Sequence, residues 1–332
     1  MTFTTLSEIS TLTLPKFDDT AGKNAQARQD SLTKPQGSLG RLEELAVFMA
    51  GWRGTSRPVI GRAQALVFAG NHGICAQGVN PYPQEVTAQM VMNFESGGAS
   101  INQLCRVNGA ELSVIALDLA NPTADFTQGP AMTEAETIAA MNRGAAAIDK
   151  GADVLILGEM GIGNSTIAAA LATALFGGTP ADWVGPGTGS DAAGLARKIG
   201  AIETGIALHC GQSAMEMLAR LGGREQAAIC GAVIAARMAR IPVILDGFIC
   251  TAAAAVLYAA NPELLDHCLV GHVSAEPGHR RLLDAIHKRA ILEFDMRLGE
   301  GSGAALALGI LRSAIECHNG MATFGEAGVS EA

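Results

Sequence analysis

The stretch DVLILGEMGIGNSTIAAAL, residues 153–171, predicts a buried strand, a glycine-rich turn and a helix in direct succession. The apolar run before Gly158 has the length of a strand covered on both faces, and the alanine-rich run has the composition of a helix. Gly161 and Gly163 place backbone N–H groups and a helix N-terminus where an anion can bind. An acid, Glu159, lies at the junction. Strand, turn and helix in this order are the repeating unit of a parallel sheet.

Other apolar runs of strand length follow the same pattern. Helix-like stretches rich in alanine and leucine separate them, at the spacing of helices that cover a sheet. This alternation predicts an α/β fold, a Rossmann-like parallel sheet with helices on both faces, in which ligands bind beyond the carboxyl ends of the strands. The predicted strands are 65–70, 112–119, 153–158, 242–247 and 267–273, with ADWVG (181–185) as a weaker sixth.

The two ends of the chain differ from this central region. Polar helical segments surround the turn KPQGSLG (34–40), and an alanine- and leucine-rich helical tail follows residue 300. We expect residues 1–60 and 300–332 to meet as a small helical subdomain. It would cap a large α/β nucleotide-binding domain of residues 61–299.

Composition excludes several classes of protein. A net charge of -9 argues against a nucleic-acid surface, which needs a concentrated basic face. The 7 cysteines have no zinc-type spacing, so we expect reduced core thiols and no bound metal. The N-terminus has acids where a secretory signal would be apolar, and charged residues interrupt the most apolar region, 227–260. We therefore expect a cytoplasmic protein that does not enter a membrane.

A second glycine-framed acid is Glu300, in the stretch MRLGEGSGAA (296–305). Glycine on both sides leaves the carboxylate unshielded, and Ser302 is placed to cap the helix that follows. The glycine loop VGPGTG (184–189) precedes Lys198 and offers an anion cradle with a cation nearby. The third glycine of a dinucleotide fingerprint and the lysine of a P-loop are both missing, so neither NAD nor ATP is expected as a cofactor. A nucleoside monophosphate fits better.

Structural interpretations compete with each of these features. Glycine-rich turns occur in many α/β proteins only to make the turn, and Glu159 or Glu300 alone fits a helix cap or a surface acid equally well. His72 and His272 fit buried core histidines better than metal ligands. Only the convergence of two framed acids with two glycine loops favours a functional site.

Six segments, in order along nearly the whole chain, resemble the nicotinate-nucleotide:dimethylbenzimidazole phosphoribosyltransferase family. The combination of KPQGSLGRLE and RLGEGSGAAL is highly specific for that family. The matching segments are LTKPQGSLGRLEELA (32–46), NHGICAQGVNPYPQEVTAQMV (71–91), GEMGIGNSTIAAA (158–170), PVILDGF (242–248), HVSAEPGH (272–279) and MRLGEGSGAALAL (296–308).

The resemblance implies that 5,6-dimethylbenzimidazole attacks the ribose C1′ of nicotinate mononucleotide and that nicotinate leaves as a neutral ring. Glu300 then matches the proton-accepting base, and Glu159 is the second catalytic acid. The resemblance also implies a homodimer with no cofactor and no metal. By the same resemblance, Glu159, Gly161 and Asn164 lie near the sugar, Gly187 and Lys198 near the phosphate, Ser274 and Gly299 along the same wall, and Tyr82, Pro83 and Met90 against the acceptor ring.

Two alternatives stay open at this point. The same reaction could use another acceptor, such as adenine, another benzimidazole or phenol, because a methyl group in a pocket discriminates by only ~1–3 kcal/mol. The chain could also be a non-catalytic nucleotide-binding protein, which the intact glutamates and glycine loops disfavour.

Overall fold

The computed structural model describes residues 1–187 and 189–330. Within them, six strands form one sheet in which every neighbouring pair is parallel. The strands are β1 (Ala63–Ala69), β2 (Ala110–Ala116), β3 (Val154–Met160), β4 (Val243–Leu245), β5 (Cys268–Val273) and β6 (Ala290–Glu293). Their order across the sheet is β2-β1-β3-β4-β5-β6, so the direction of strand addition reverses between β1 and β3. Ligands bind at such reversals in doubly wound sheets.

The sheet is buried on both faces because its central strands carry apolar side chains at most positions. In β3, Leu155 and Leu157 belong to one hydrophobic core, whereas Val154 and Ile156 belong to the core on the opposite face. This is the alternation that a strand imposes on successive residues. The predicted parallel α/β fold with helices on both faces is confirmed.

Helices cover both faces. The first core contains residues of α5, α6, α8, α9 and α10, and the second contains residues of α2, α4 and α12. The α-helices are α1 (Asp19–Ser31), α2 (Arg41–Arg53), α3 (Glu85–Glu95), α4 (Ser100–Asn108), α5 (Glu134–Ala146), α6 (Asn164–Phe176), α7 (Ala192–His209), α8 (Ala214–Leu221), α9 (Arg224–Met238), α10 (Phe248–Ala260), α11 (Gly278–Ala285), α12 (Ser302–Gly320) and α13 (Phe324–Ala327). Short 3-10 helices span Ser7–Thr11, Gly73–Gln77, Pro180–Asp182 and Pro262–Leu265.

The two ends of the chain pack together, as α1 contacts α2 and α2 contacts α12. Helix α12 also packs on β3, β4, β5 and β6, and Met49 and Leu308 share one core with Val67 of the sheet. The division into a helical subdomain and an α/β domain stays a prediction, and its last two residues, 331 and 332, lie outside the described residues.

The predicted sixth strand, 181–185, is wrong. That segment begins in the 3-10 helix Pro180–Asp182. Its apolar character reflects the packing of Trp183, which is buried and whose indole N–H donates to the Gly177 carbonyl (2.8 Å). The sixth strand is instead β6, a short edge strand whose residues are half-buried or exposed. Its weak apolar pattern explains why the sequence did not indicate it.

All 7 cysteines are free thiols. The expectation of core thiols holds for four of them and is wrong for Cys210, which is exposed just after α7. The buried four are Cys105, Cys230, Cys250 and Cys268. Among the described residues, no helix combines the length and the apolar character needed to cross a membrane.

Candidate active site

A cleft opens beyond the carboxyl ends of β3, β4 and β5. It contains about 760 Å³ of space between protein atoms, part of it open to solvent. Residues 159–165, 246–249 and 297–299 form much of its wall, and Gly187 and Ser190, which lie between α6 and α7, line it as well. The cleft therefore lies where parallel sheets bind ligands.

The end of β3 carries Glu159 into the cleft, and the loop that follows the strand is held from behind. The amide of Ile162 donates to the Thr87 hydroxyl (3.1 Å), which ties the loop to α3. Gly163, at φ 93°, makes the turn into α6. The side-chain amide of Asn164, the first residue of α6, donates to the Glu159 carboxylate. Strand, turn and helix together thus fix both side chains.

Glu159 is buried, and its environment favours the protonated form. The pKa of Glu159 is raised to about 8. Burial is the largest cause, and the nearby Asp246, Glu225 and Glu300 carboxylates add to it, while the hydrogen bond from Asn164 acts in the opposite direction. A carboxyl group with this pKa carries a proton at neutral pH and can donate a hydrogen bond.

Glu300 lies in a strained turn at the start of α12. Gly299, Glu300 and Gly301 have φ values of 85°, 66° and 86°, and a positive φ is unusual for a residue with a side chain. The turn presses on β3, since a Cβ atom on Gly158 would lie 2.5 Å from the Glu300 carbonyl oxygen. Glycine on both sides of Glu300 and at 158 makes this approach possible.

The N-terminus of α12 is capped by Asp246 and not by Ser302. Asp246, which follows β4, accepts from the backbone N–H groups of Gly301 (3.2 Å) and Ala304 (2.9 Å). Ser302 is the first helical residue, and its hydroxyl donates to the Gly299 carbonyl (2.7 Å). The expected Ser302 cap is therefore wrong. The Asp246 carboxylate already accepts from the backbone N–H groups at the start of α12, which have no partner within the helix.

The Glu300 carboxyl is buried, and its Oε2 atom has no hydrogen-bond partner. Burial and, to a smaller degree, the charge of Asp246 together raise the pKa of Glu300 to about 7. Because a general base works best when its pKa is near the working pH, this carboxyl is suited to accept a proton.

Two buried histidines hold the wall formed by the loop after β5. His272 Nδ1 lies 3.5 Å from the Asp246 carboxylate. His279 accepts from the Ser274 amide (2.8 Å) and contacts the Thr251 hydroxyl (3.2 Å). Burial, followed by the charge of His272, lowers the pKa of His279 to about 3, so this ring is neutral when it accepts the Ser274 N–H.

The opposite end of the cleft is cationic. Lys198 is buried on α7, and its Nζ donates to the Ser165 hydroxyl and the Gly185 carbonyl, each at 3.2 Å. Burial lowers the pKa of Lys198. Arg297 donates to the Gly187 carbonyl (2.9 Å) from across the cleft. This end can bind an anion through cations, a hydroxyl and backbone amides.

A family model described as phosphoribosyltransferase (DBI_PRT) matches residues 14–329. The chain belongs to this phosphoribosyltransferase family. Two curated relatives, from Rhodobacter capsulatus and Ruegeria pomeroyi, are named nicotinate-nucleotide-dimethylbenzimidazole phosphoribosyltransferase. The first is 68% identical over 326 residues, 98% of each chain, and the second 59% over 317 residues, 96% of this chain and 94% of the relative.

A solved structure agrees with these relatives. A crystal structure of the phosphoribosyltransferase of that name from Thermus thermophilus has a TM-score of 0.88 to this chain at 41% identity. The match covers 95% of this chain and 100% of the other.

The structure places most of the residues that the family resemblance implies around one cleft. Glu300 does not line the cleft itself, but it directly follows Gly299, which does. Among the described residues, no group of three histidine, cysteine, aspartate or glutamate side chains is arranged to hold a metal ion. The implied residues that line the cleft are Glu159, Gly161, Asn164, Gly187, Lys198, Ser274 and Gly299.

The three residues assigned to the acceptor ring lie elsewhere. Tyr82 and Pro83 line a neighbouring hollow, which shares Asn80 and Pro81 with the cleft. Met90 packs against the core beneath α2 and α12. Contact of these three with a phosphoribosyltransferase substrate stays a prediction. Thr188 of the predicted cradle loop 184–189 lies outside the described residues.

Three charged residues of the cleft were not among the assigned site residues. Asp246 lies at the carboxyl end of the predicted strand 242–247, the position that marks the ligand-binding edge of the sheet. Arg297 stands just before the glycine-framed Glu300. Glu276, in the segment SAEPGH, lies a few positions beyond the predicted strand 267–273, but its place at the cleft depends on the packing of the loop after β5.

Proposed function

We propose that this phosphoribosyltransferase moves the ribose 5-phosphate of nicotinate mononucleotide onto 5,6-dimethylbenzimidazole, in the assembly of the lower ligand of cobalamin. The products are α-ribazole 5′-phosphate and nicotinate. The observation that carries the proposal is the buried carboxyl of Glu300. It has an unpartnered oxygen and a pKa of about 7, and it stands beside a cleft whose other end is cationic.

The two ends of the cleft suit the two parts of the nucleotide. The phosphate would bind between Lys198, Ser165 and the Gly187 loop, where an ammonium, a hydroxyl and backbone amides can donate to its oxygens. The ribose would then lie toward Glu159 and Asn164. A protonated Glu159, held by the Asn164 amide, can both donate to and accept from sugar hydroxyls.

The reaction requires one bond to form, one to break and one proton to move. A ring nitrogen of dimethylbenzimidazole attacks C1′, and the bond between C1′ and the pyridinium nitrogen breaks with its electron pair going to nicotinate. The attack makes the N–H on the other ring nitrogen of the acceptor acidic. Glu300 accepts that proton, which leaves the product ring neutral. The nicotinate ring gains the electron pair of the broken bond and needs no proton from the protein.

One incubation tests this proposal. Purified protein is mixed with nicotinate mononucleotide and equimolar dimethylbenzimidazole, other benzimidazoles, adenine and phenol, and products are followed by liquid chromatography and mass spectrometry. We expect free nicotinate with α-ribazole 5′-phosphate as the main product. Main transfer to another acceptor would keep the mechanism and replace the substrate, whereas no nicotinate release with any acceptor would overturn the proposal.

We also propose that the chain acts as a homodimer in the cytoplasm. Two exposed apolar side chains, Met92 on α3 and Val107 on α4, would suit a protein contact, and seven free thiols suit a reducing compartment. Light scattering coupled to size-exclusion chromatography should give twice the chain mass of 34.1 kDa. A mass of one chain at micromolar concentration would contradict the dimer.

A further inference from the structure

A carboxylate of the chain lies at the cationic end of the cleft. Glu276 is buried, and its Oε1 accepts from the backbone N–H of Gly187 at 2.9 Å. Gly187 has a φ of 56°, so its amide belongs to a turn of the kind that presents N–H groups to anions. The amide that a substrate phosphate would use is therefore already bound to an anion of the protein.

The charges around Glu276 are incompletely paired. Its Oε2 has no hydrogen-bond partner, although the side chain is buried. Lys198, equally buried, donates to two neutral oxygens, those of Ser165 and Gly185. Burying a charge costs free energy when the charge is not paired. Because the Glu276 carboxylate and the Lys198 ammonium do not contact each other, this cost applies to both groups. Burial raises the pKa of Glu276, while Lys198, the Gly187 amide and Arg297 act in the opposite direction.

A Cβ atom built on Gly187 would lie 2.9 Å from the Ser165 hydroxyl and 3.1 Å from Lys198 Nζ. The amide that Glu276 occupies, the hydroxyl and the ammonium therefore converge on one small space. A phosphate has enough acceptor oxygens for all three donors, whereas the one carboxylate oxygen of Glu276 satisfies only the amide.

We propose that Glu276 occupies the phosphate position in the free protein and leaves the Gly187 amide when a phosphate monoester binds beside Lys198. This inference rests on the proposed function, since it concerns the same cleft. Only a ligand that brings its own negative charge and several acceptor oxygens can replace the carboxylate. The exchange thus selects a nucleotide over the corresponding nucleoside, at the cost of a weaker apparent affinity.

Calorimetric titration without an acceptor base tests the exchange, with inorganic phosphate and nicotinate mononucleotide as separate ligands. Glu276→Gln keeps an acceptor oxygen for the Gly187 amide and removes the competing charge. We expect it to bind both ligands roughly tenfold more tightly than the wild type, the effect of removing one nearby like charge. Glu203→Gln, which removes an exposed acid from the same helix as Lys198, is the matched control and should bind as the wild type does.

An unchanged or weaker affinity of Glu276→Gln for inorganic phosphate would overturn the inference. Weaker binding of the nucleotide alone would show that Glu276 holds the sugar, which also overturns it. Glu276→Asp keeps the charge but shortens the side chain, and it should tighten phosphate binding by a smaller factor, which gives a second test if the glutamine variant does not fold.

Wild-type turnover, measured in parallel, separates this inference from the proposed function. If the wild type turns over but Glu276→Gln does not bind phosphate more tightly, the proposed exchange is wrong and the proposed function stands. If Glu276→Gln binds phosphate more tightly but the wild type shows no turnover, the proposed reaction is wrong, and the cleft is an anion site whose affinity Glu276 controls.

Discussion

The two glycine-framed glutamates beside the cleft are held in opposite ways. Glu159 is the next-to-last residue of a regular strand, and the Asn164 amide fixes its carboxyl group. Glu300 stands in a turn at φ 66°, and one of its buried oxygens has no partner. Fixed geometry with a pKa of about 8 suits a group that keeps its proton, whereas a free oxygen with a pKa of about 7 suits a group that accepts one. The same residue type thus serves two purposes through its surroundings.

Of the variants that test this difference between the two glutamates, Glu300→Gln should have the largest effect on turnover. An amide cannot accept the proton of the acceptor base, so we expect kcat to fall by about 10²–10⁴-fold, the usual contribution of a general base. The affinity for nicotinate mononucleotide should change little, because the nucleotide end of the cleft is untouched. Steady-state kinetics and nucleotide titration measure the two effects separately.

Glu316→Gln is the control for this variant, since it removes an exposed acid from the same helix. Wild-type turnover in Glu300→Gln would show that another group accepts the proton.

The same substitution should make the protein more stable at alkaline pH. The pKa of Glu300 is raised to about 7 from an ordinary value near 4.5, so its contribution to stability is complete below about pH 4.5 and is lost as pH rises through about 7. Glutamine cannot ionise and avoids this loss. The stability of Glu300→Gln relative to wild type should therefore rise by about 1–3 kcal/mol between pH 5 and pH 8. Urea unfolding at both pH values measures it, and an unchanged difference would contradict the raised pKa.

Asp246→Asn tests the charge that distinguishes the two settings. The Asp246 carboxylate raises the pKa of Glu300 and of Glu159, so its neutralisation should lower both. Wild-type kcat should fall as pH drops through about 7, where Glu300 takes up a proton. In the variant the midpoint of this acidic limb should move to lower pH by about one unit, equivalent to about 1.4 kcal/mol.

The asparagine also disturbs the cap of α12, so the maximum rate should fall as well. The position of the limb is independent of that loss. If the midpoint of the acidic limb does not move, burial alone raises the pKa of Glu300 and the charge of Asp246 does not contribute.

Local sequence patterns predicted the parts of the cleft that depend on neighbouring residues. The strand, turn and helix of 153–171 lie close together in the chain, and their apolar runs and glycines specify them directly. The glycines on both sides of Glu300 likewise mark it as a candidate from the sequence alone. The segment 181–185 was wrongly predicted as a strand. Its apolar Trp183 packs in the core from a segment that is not a strand.

Contacts between distant segments could not be predicted in this way. Asp246 bonds the Ala304 amide 58 positions away, and Glu276 bonds Gly187 across 89 positions. Nothing in the local sequence of either acid indicates its partner, because the sheet and its connecting loops bring them together. The charges that adjust both ends of the cleft are therefore properties of the fold.

Glu159→Gln should have the smallest effect, and it sharpens the comparison because the chemical change is the same as in Glu300→Gln. With a pKa of about 8, Glu159 is already neutral at pH 7, and glutamine has the shape and the hydrogen-bonding capacity of a neutral carboxyl group. Its amide oxygen can still accept from Asn164. We therefore expect kcat/KM at pH 7 to fall by less than about tenfold, or about 1.4 kcal/mol. Loss of turnover comparable to that of Glu300→Gln would mean that Glu159 acts as a carboxylate, and the division of roles between the two glutamates would have to be abandoned.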